Sequence, residues 1–150
     1  TIRAATAWCE RAAKIGTADS WAARIGAVRD GGLAPLGAAT AERWFTPAFR
    51  AAHPDAVAAI LDTFAGVDPA GYMGCCAALA AADLRADIGR IVNPLLAISG
   101  DDDPVCTPAD LQFIADSVQG GRHVSLPGRH IVNLESAQAF NAELLGFLAG

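Results

Sequence analysis

The chain has 150 residues, 53% of them hydrophobic and only 18% charged, which fits one globular domain with a true core and excludes a disordered segment. A formal net charge of -5, with Lys14 as the sole lysine, gives no basic surface for a polyanion, so nucleic acid is not an expected partner. The longest apolar stretch, residues 73–82, falls well short of the roughly 18 residues that a membrane span needs.

The opening residues Thr1-Ile2-Arg3-Ala4-Ala5 lack the charged-then-apolar layout of a secretory leader, so the expected location is cytoplasmic. Four cysteines, Cys9, Cys75, Cys76 and Cys106, show no C-x-x-C or Cys/His ligand spacing. They read as small, reduced, structural hydrophobes, with no metal and no disulfide framework.

Residues 17–90 read as helix after helix. Thr17 is a plausible N-cap, Trp21, Ile25 and Val28 follow at helical spacing, and Gly31-Gly32 stop that helix. A second helix is expected over 34–45. Thr46-Pro47 restarts the chain with a cap and a first-turn proline, and His53-Pro54-Asp55 does so again before the stripe Val57, Ile60, Leu61 and Phe64. Asp68-Pro69 opens a fifth helix, with Tyr72, Cys76 and Leu79 on one face.

From Pro94 the pattern changes to strand, helix, strand, helix. Leu95-Leu96-Ala97-Ile98 is a short buried strand ending in Ser99-Gly100, and Thr107-Pro108 starts a helix carrying Leu111, Ile114, Ala115 and Val118. Residues 122–126 form a second strand. Ser136 should cap a closing helix whose apolar face carries Phe140, Leu144, Phe147 and Leu148. This order implies an α/β fold with two parallel strands covered by helices, and ligand chemistry at the carboxyl ends of the strands.

Two polar clusters lie at those ends. Gly100-Asp101-Asp102-Asp103-Pro104 follows the first strand and Pro127-Gly128-Arg129-His130 follows the second, so a carboxylate and an imidazole can meet across adjacent loops. A buried carboxylate on one ring nitrogen fixes the histidine tautomer and leaves the other as a base. Three consecutive aspartates also raise a calcium site, but no EF-hand ligand spacing follows them. His53, ahead of a proline, reads as a turn residue, and His123 as a strand residue that packs or faces solvent.

The stretch Ile91-Val92-Asn93-Pro94-Leu95-Leu96-Ala97-Ile98-Ser99-Gly100-Asp101-Asp102-Asp103-Pro104 resembles the late strand and acid loop of α/β-hydrolases. Leu126-Pro127-Gly128-Arg129-His130-Ile131-Val132-Asn133-Leu134-Glu135 resembles their histidine loop. Ala13-Lys14-Ile15-Gly16-Thr17, Glu42-Arg43-Trp44-Phe45-Thr46-Pro47 and Gly71-Tyr72-Met73-Gly74-Cys75-Cys76 resemble the cap of 3-oxoadipate enol-lactonases.

That resemblance implies the carboxyl-terminal half of such an enzyme: a poorly matched strand and entry segment over 1–16, a helical cap over 17–90 and the end of the hydrolase core over 91–150. It implies Asp103 as the acid, three residues after the glycine, with Asp102 as the alternative, and His130 as the base. A proline that often lies four residues beyond the acid falls one later here, at Pro108. Arg43, Trp44 and Tyr72 become candidate substrate contacts, against a reading in which they serve packing and surface. The substrate is a small lactone or ester, and no cofactor is needed.

The nucleophile elbow G-x-S-x-G is absent from the sequence. The expectation is therefore a chain inactive alone, which associates with a missing amino-terminal half or with itself through an open sheet edge. A different α/β-hydrolase chemistry, as in an esterase or carbon–carbon hydrolase, and a non-catalytic hydrolase-like binding module are the competing readings.

Overall fold

The computed structural model describes residues 5–8, 12 and 15–150. Five helices follow the first strand: α1 (Ala18–Gly31), α2 (Gly37–Trp44), α3 (Pro47–Ala52), α4 (Pro54–Ala65) and α5 (Pro69–Ala81). Their boundaries are written in cap chemistry. Thr17 and Ser20 form a reciprocal capping box at α1, while the Thr46 and Asp68 side chains accept from the Phe49 and Gly71 amides at α3 and α5. Proline occupies the first turn of α3, α4 and α5. Gly32, at φ 72°, ends α1 in a conformation that a side chain would resist.

The helix expected over 34–45 is in two pieces, a 3-10 turn at Ala34–Leu36 and then α2. Pro35 sits in the first turn of the 3-10 piece, and the Gly37 amide bonds back to the Ala34 carbonyl before α2 begins. Leu79 is exposed rather than on the buried face of α5, where Cys76 alone is fully buried.

The sheet has three parallel strands in the order β1-β2-β3: β1 (Ala5–Trp8), β2 (Leu95–Gly100) and β3 (Arg122–Leu126). Both strands expected after Pro94 are present and parallel, and β1 adds a third on the other side of β2. Residues 1–4, 9–11, 13 and 14 of the expected entry segment, Cys9, Ala13 and Lys14 among them, lie outside the described residues. All six residues of β2 are buried, because it has a strand on each side and helices on both faces. This explains its continuous apolar run without alternation.

On one face, Leu95 and Ala97 pack with Leu111, Ile114 and Ala115 of α6 (Pro108–Ser117). On the other, Leu96 and Ile98 pack with Leu126, with Val132 of α7 (Val132–Glu135) and with Phe140 of α8 (Ala137–Ala149). Phe140 is buried as expected, but Leu148 is exposed. Ser136 precedes α8 without a side-chain cap; its hydroxyl donates instead to the Pro127 carbonyl. No helix among the described residues is long and apolar enough to cross a membrane.

The one polar side chain within β2, Ser99, is wholly buried and is served from β3: its Oγ lies 2.9 Å from His123 Nε2 and donates to Ser125 Oγ at 3.2 Å. His123 Nδ1 lies 3.0 Å from Gln112 Oε1 on α6. Burial lowers the His123 pKa from its ordinary value, and Asp116 opposes that only in part. The unfolded chain therefore takes up a proton at higher pH than the folded one does. Stability is unaffected by this group above about pH 6.5 and falls as the pH drops below it. Urea denaturation of wild type against His123→Gln should show the difference in slope over that window; identical pH profiles would contradict it.

A second tie joins the helices to the sheet end. The Glu135 carboxylate accepts from Thr46 Oγ1 at 2.6 Å, from the Thr46 amide at 3.2 Å and from the Arg129 amide at 2.8 Å. One charged group thus holds the α3 cap and the loop after β3 together. Glu135→Ala should cost about 1.5–3 kcal/mol, the range for hydrogen bonds to charged groups, and should expose the Arg129 amide to faster hydrogen exchange. Unchanged exchange at Arg129 would remove the clasp from the account.

Candidate active site at the carboxyl end of the sheet

The two loops suspected from sequence meet, and the three aspartates do three different things. The Asp101 amide extends the β2–β3 ladder by donating to Leu126 O at 2.8 Å, and its Oδ1 accepts from the Gly128 amide at 3.0 Å. The Asp102 amide donates to Gly128 O at 3.0 Å, while its side chain, 62% exposed, pairs with Arg129 Nε at 2.8 Å. Asp103 turns inward and is 3% exposed.

Asp103 is held on both oxygens. Its Oδ1 accepts from the Val105 and Cys106 amides at 2.7 and 3.1 Å, and its Oδ2 lies 3.0 Å from His130 Nδ1. Backbone donors that cannot swing away fix the carboxylate plane, so its second oxygen is aimed at the imidazole before any ligand arrives. The His130 side chain is 20% exposed, giving the dyad one face toward solvent.

Close approach of the loops depends on Gly100, and the turn of the histidine loop on Gly128. A Cβ on Gly100 would collide with the carbonyl oxygens of Gly128 and Arg129, and Gly128 adopts φ 139°. A side chain at Gly100 would push the histidine loop off the acid loop, and one at Gly128 would be strained and would crowd the Glu135 side chain.

The helical layer supplies the wall facing His130. Trp44, at the end of α2, stacks over the imidazole with ring centroids 6.5 Å apart and planes inclined by 25°. Its backbone carbonyl accepts from the Ile131 amide at 3.1 Å, and the Arg129 guanidinium donates to the Glu42 carbonyl. Trp44 also meets the edge of Phe64, whose ring in turn meets Tyr72.

Tyr72 is further from the dyad. Its hydroxyl accepts from Arg24 Nε at 2.7 Å, and the same guanidinium sits 5.6 Å from the Tyr72 ring centroid. Arg43 lies close enough to Arg24 for mutual repulsion, which adds to burial in lowering its pKa. Of the three candidate substrate contacts, then, Trp44 touches His130, and Arg43 and Tyr72 gather around Arg24. Arg24 drew no attention in the sequence, because a single arginine within an amphipathic helix carries no pattern of its own.

Cys106, a structural thiol by its spacing alone, also lies at the site. It is 1% exposed, and its sulfur, an Asp103 oxygen and a His130 nitrogen all lie within 4.8 Å of one another. The spacing Asp103-x-x-Cys106, with the histidine 24 residues on, matches no familiar ligand pattern, and only folding brings the three together. His53 caps the end of α3 and packs on Phe49, as a turn residue should.

Comparison with known proteins gives the same direction. No family model matches the chain. It is 44% identical over 130 residues to 3-oxoadipate enol-lactonase 2 of Acinetobacter baylyi, covering 87% of this chain and 49% of that protein. It is 36% identical over 137 residues to 3-oxoadipate enol-lactonase 1 of the same organism, covering 91% and 52%. The crystal structure of an enol-lactonase from Burkholderia xenovorans superposes with a TM-score of 0.92 at 36% identity, over 97% of this chain and 55% of that one. The chain spans about half the length of the relatives it matches. In sequence it resembles the 3-oxoadipate enol-lactonases, and its fold is that of part of an α/β-hydrolase.

Proposed function

We propose that this chain supplies the acid and the base of a Ser-His-Asp hydrolase acting on a carboxylic ester or lactone, the nucleophilic serine belonging to another segment. The observation that carries the reading is the 3.0 Å contact between the buried Asp103 carboxylate and His130 Nδ1. That contact selects the tautomer with the proton on Nδ1, making Nε2 the basic nitrogen. His130 takes the proton of an attacking serine and returns it to the leaving oxygen; water activated by the same nitrogen then releases the acyl group. Asp103 stabilises the imidazolium formed in between.

The 3-oxoadipate enol-lactonase relatives suggest an enol-lactone from aromatic breakdown as the substrate, handled without a cofactor in the cytoplasm. In this reading residues 17–90 are a cap, and residues 91–150 are the end of the catalytic core. Trp44 packs the reacting ring of the lactone against His130. Arg43, with Arg24 and Tyr72 beside it, attracts the substrate's acidic group. Among the described residues β1 has one strand neighbour, β2, so its outer edge receives the amino-terminal half that carries the serine. Self-association through that edge is the alternative use of the same surface.

Co-expression with the amino-terminal half of the Acinetobacter baylyi enol-lactonase 2 tests this directly. The two halves should co-purify and hydrolyse the enol-lactone, whereas this chain alone should not. In the pair, Asp103→Asn should lower kcat on the order of 10⁴-fold, the loss typical of a misdirected histidine tautomer, and His130→Ala should abolish turnover. Hydrolysis that survives His130→Ala, or a monodisperse monomer in light scattering that ignores the other half, would contradict the proposal.

A further inference from the structure

The cluster of Asp103, Cys106 and His130 has a second chemistry that ester hydrolysis does not use. We infer that these three side chains form a zinc-binding site whose occupation replaces the hydrogen bond between Asp103 and His130. The inference holds for the folded chain whether or not it belongs to a hydrolase.

The donor set is the argument. Thiolate, imidazole and carboxylate are the three ligand types zinc takes, at about 2.3, 2.0–2.1 and 2.0–2.2 Å. Around a tetrahedral ion such atoms stand about 3.3–3.8 Å apart. In this fold one atom from each residue already lies within 4.8 Å of the other two, and Asp103 Oδ2 and His130 Nδ1 are 3.0 Å apart. Side-chain adjustments of about an ångström convert the cluster into a three-ligand site, with the fourth position left to water. Calcium and magnesium are not matched, since both favour all-oxygen shells.

The surroundings assist. Asp103 Oδ1 is already engaged by the Val105 and Cys106 amides, the kind of outer support that orients a ligating carboxylate. Asp103 and Cys106 are buried while His130 is partly open, so the ion enters past the imidazole.

The protons balance simply. Cys106 gives its thiol proton to solvent and binds as thiolate. The proton on His130 Nδ1 leaves as Nε2 gains one from water, so the ring stays neutral and the net release per zinc is the thiol proton. The tautomer that zinc imposes is the opposite of the one a base needs. Zinc would therefore switch off the dyad by competing for the same nitrogen, without unfolding the loops.

The purified 150-residue chain, reduced and metal-free, is titrated with zinc chloride by calorimetry in two buffers of different ionisation enthalpy, and in parallel with cobalt chloride. One zinc per chain, one proton released, and a thiolate-to-cobalt charge-transfer band with intense tetrahedral absorption are expected. Cys106→Ser should weaken binding by more than about tenfold, the smallest loss that removing even an outer-shell partner brings, and should erase the charge-transfer band. The double variant Cys75→Ser/Cys76→Ser should behave as wild type. Wild-type chain showing no charge-transfer band with cobalt, or retaining zinc affinity in Cys106→Ser, would overturn the assignment. If removal of the buried Cys106 prevents folding, the triple variant Cys9→Ser/Cys75→Ser/Cys76→Ser decides the matter: Cys106 is then the only thiol, and absence of the charge-transfer band there would overturn the assignment.

Discussion

A buried carboxylate cannot be left to itself, and the placement of Asp103 organises everything around it. Removing such a group from water costs several kcal/mol unless hydrogen bonds replace the lost solvation. Two amides of its own loop and the imidazole of His130 do so here. The acid loop must therefore turn sharply after β2, the histidine loop must come within reach, and Gly100 must leave room for both. The same contact that satisfies the carboxylate sets the ring orientation, so the stability of the loops and the chemistry of the histidine rest on one interaction.

The rest of the architecture brings the helices to that point. β2 is central in the sheet, with both faces packed, so its carboxyl end is a rigid platform. Glu135 ties the cap of α3 to the histidine loop, and the Trp44 carbonyl receives the Ile131 amide. The indole ring over His130 is thus positioned by backbone contacts between layers rather than by side-chain packing alone. A substrate at the imidazole would meet an aromatic wall that belongs to a different part of the chain from the dyad itself.

Local chemistry was legible in the sequence wherever it is strong. Thr17, Thr46, Asp68 and Thr107 all start helices, and the run Leu95 to Ile98 with Ser99-Gly100 reads directly as the central strand. The meeting of Asp103 with His130 was also legible, because parallel neighbouring strands leave their following loops side by side. What was not legible depended on contacts between distant segments. A 3-10 turn at Ala34–Leu36 stands apart from a helix that periodicity runs together with it, Leu79 and Leu148 face outward, and Glu135 reaches back 89 residues to Thr46. The strand in the entry segment is implied only by the resemblance, since the four residues of β1 show no pattern apart from the strand they pair with. Cys106 and Arg24 matter through their neighbours in space, which no spacing in the chain announces.

The central contact can be observed without substrate or partner. Long-range nitrogen–proton correlation spectra of the histidine rings report which nitrogen of His130 carries the proton. In the metal-free chain at neutral pH His130 should carry its proton on Nδ1, and Asp103→Asn should abolish that preference. A ring protonated on Nε2 instead, or one indifferent to the loss of the Asp103 charge, would contradict the account at its base.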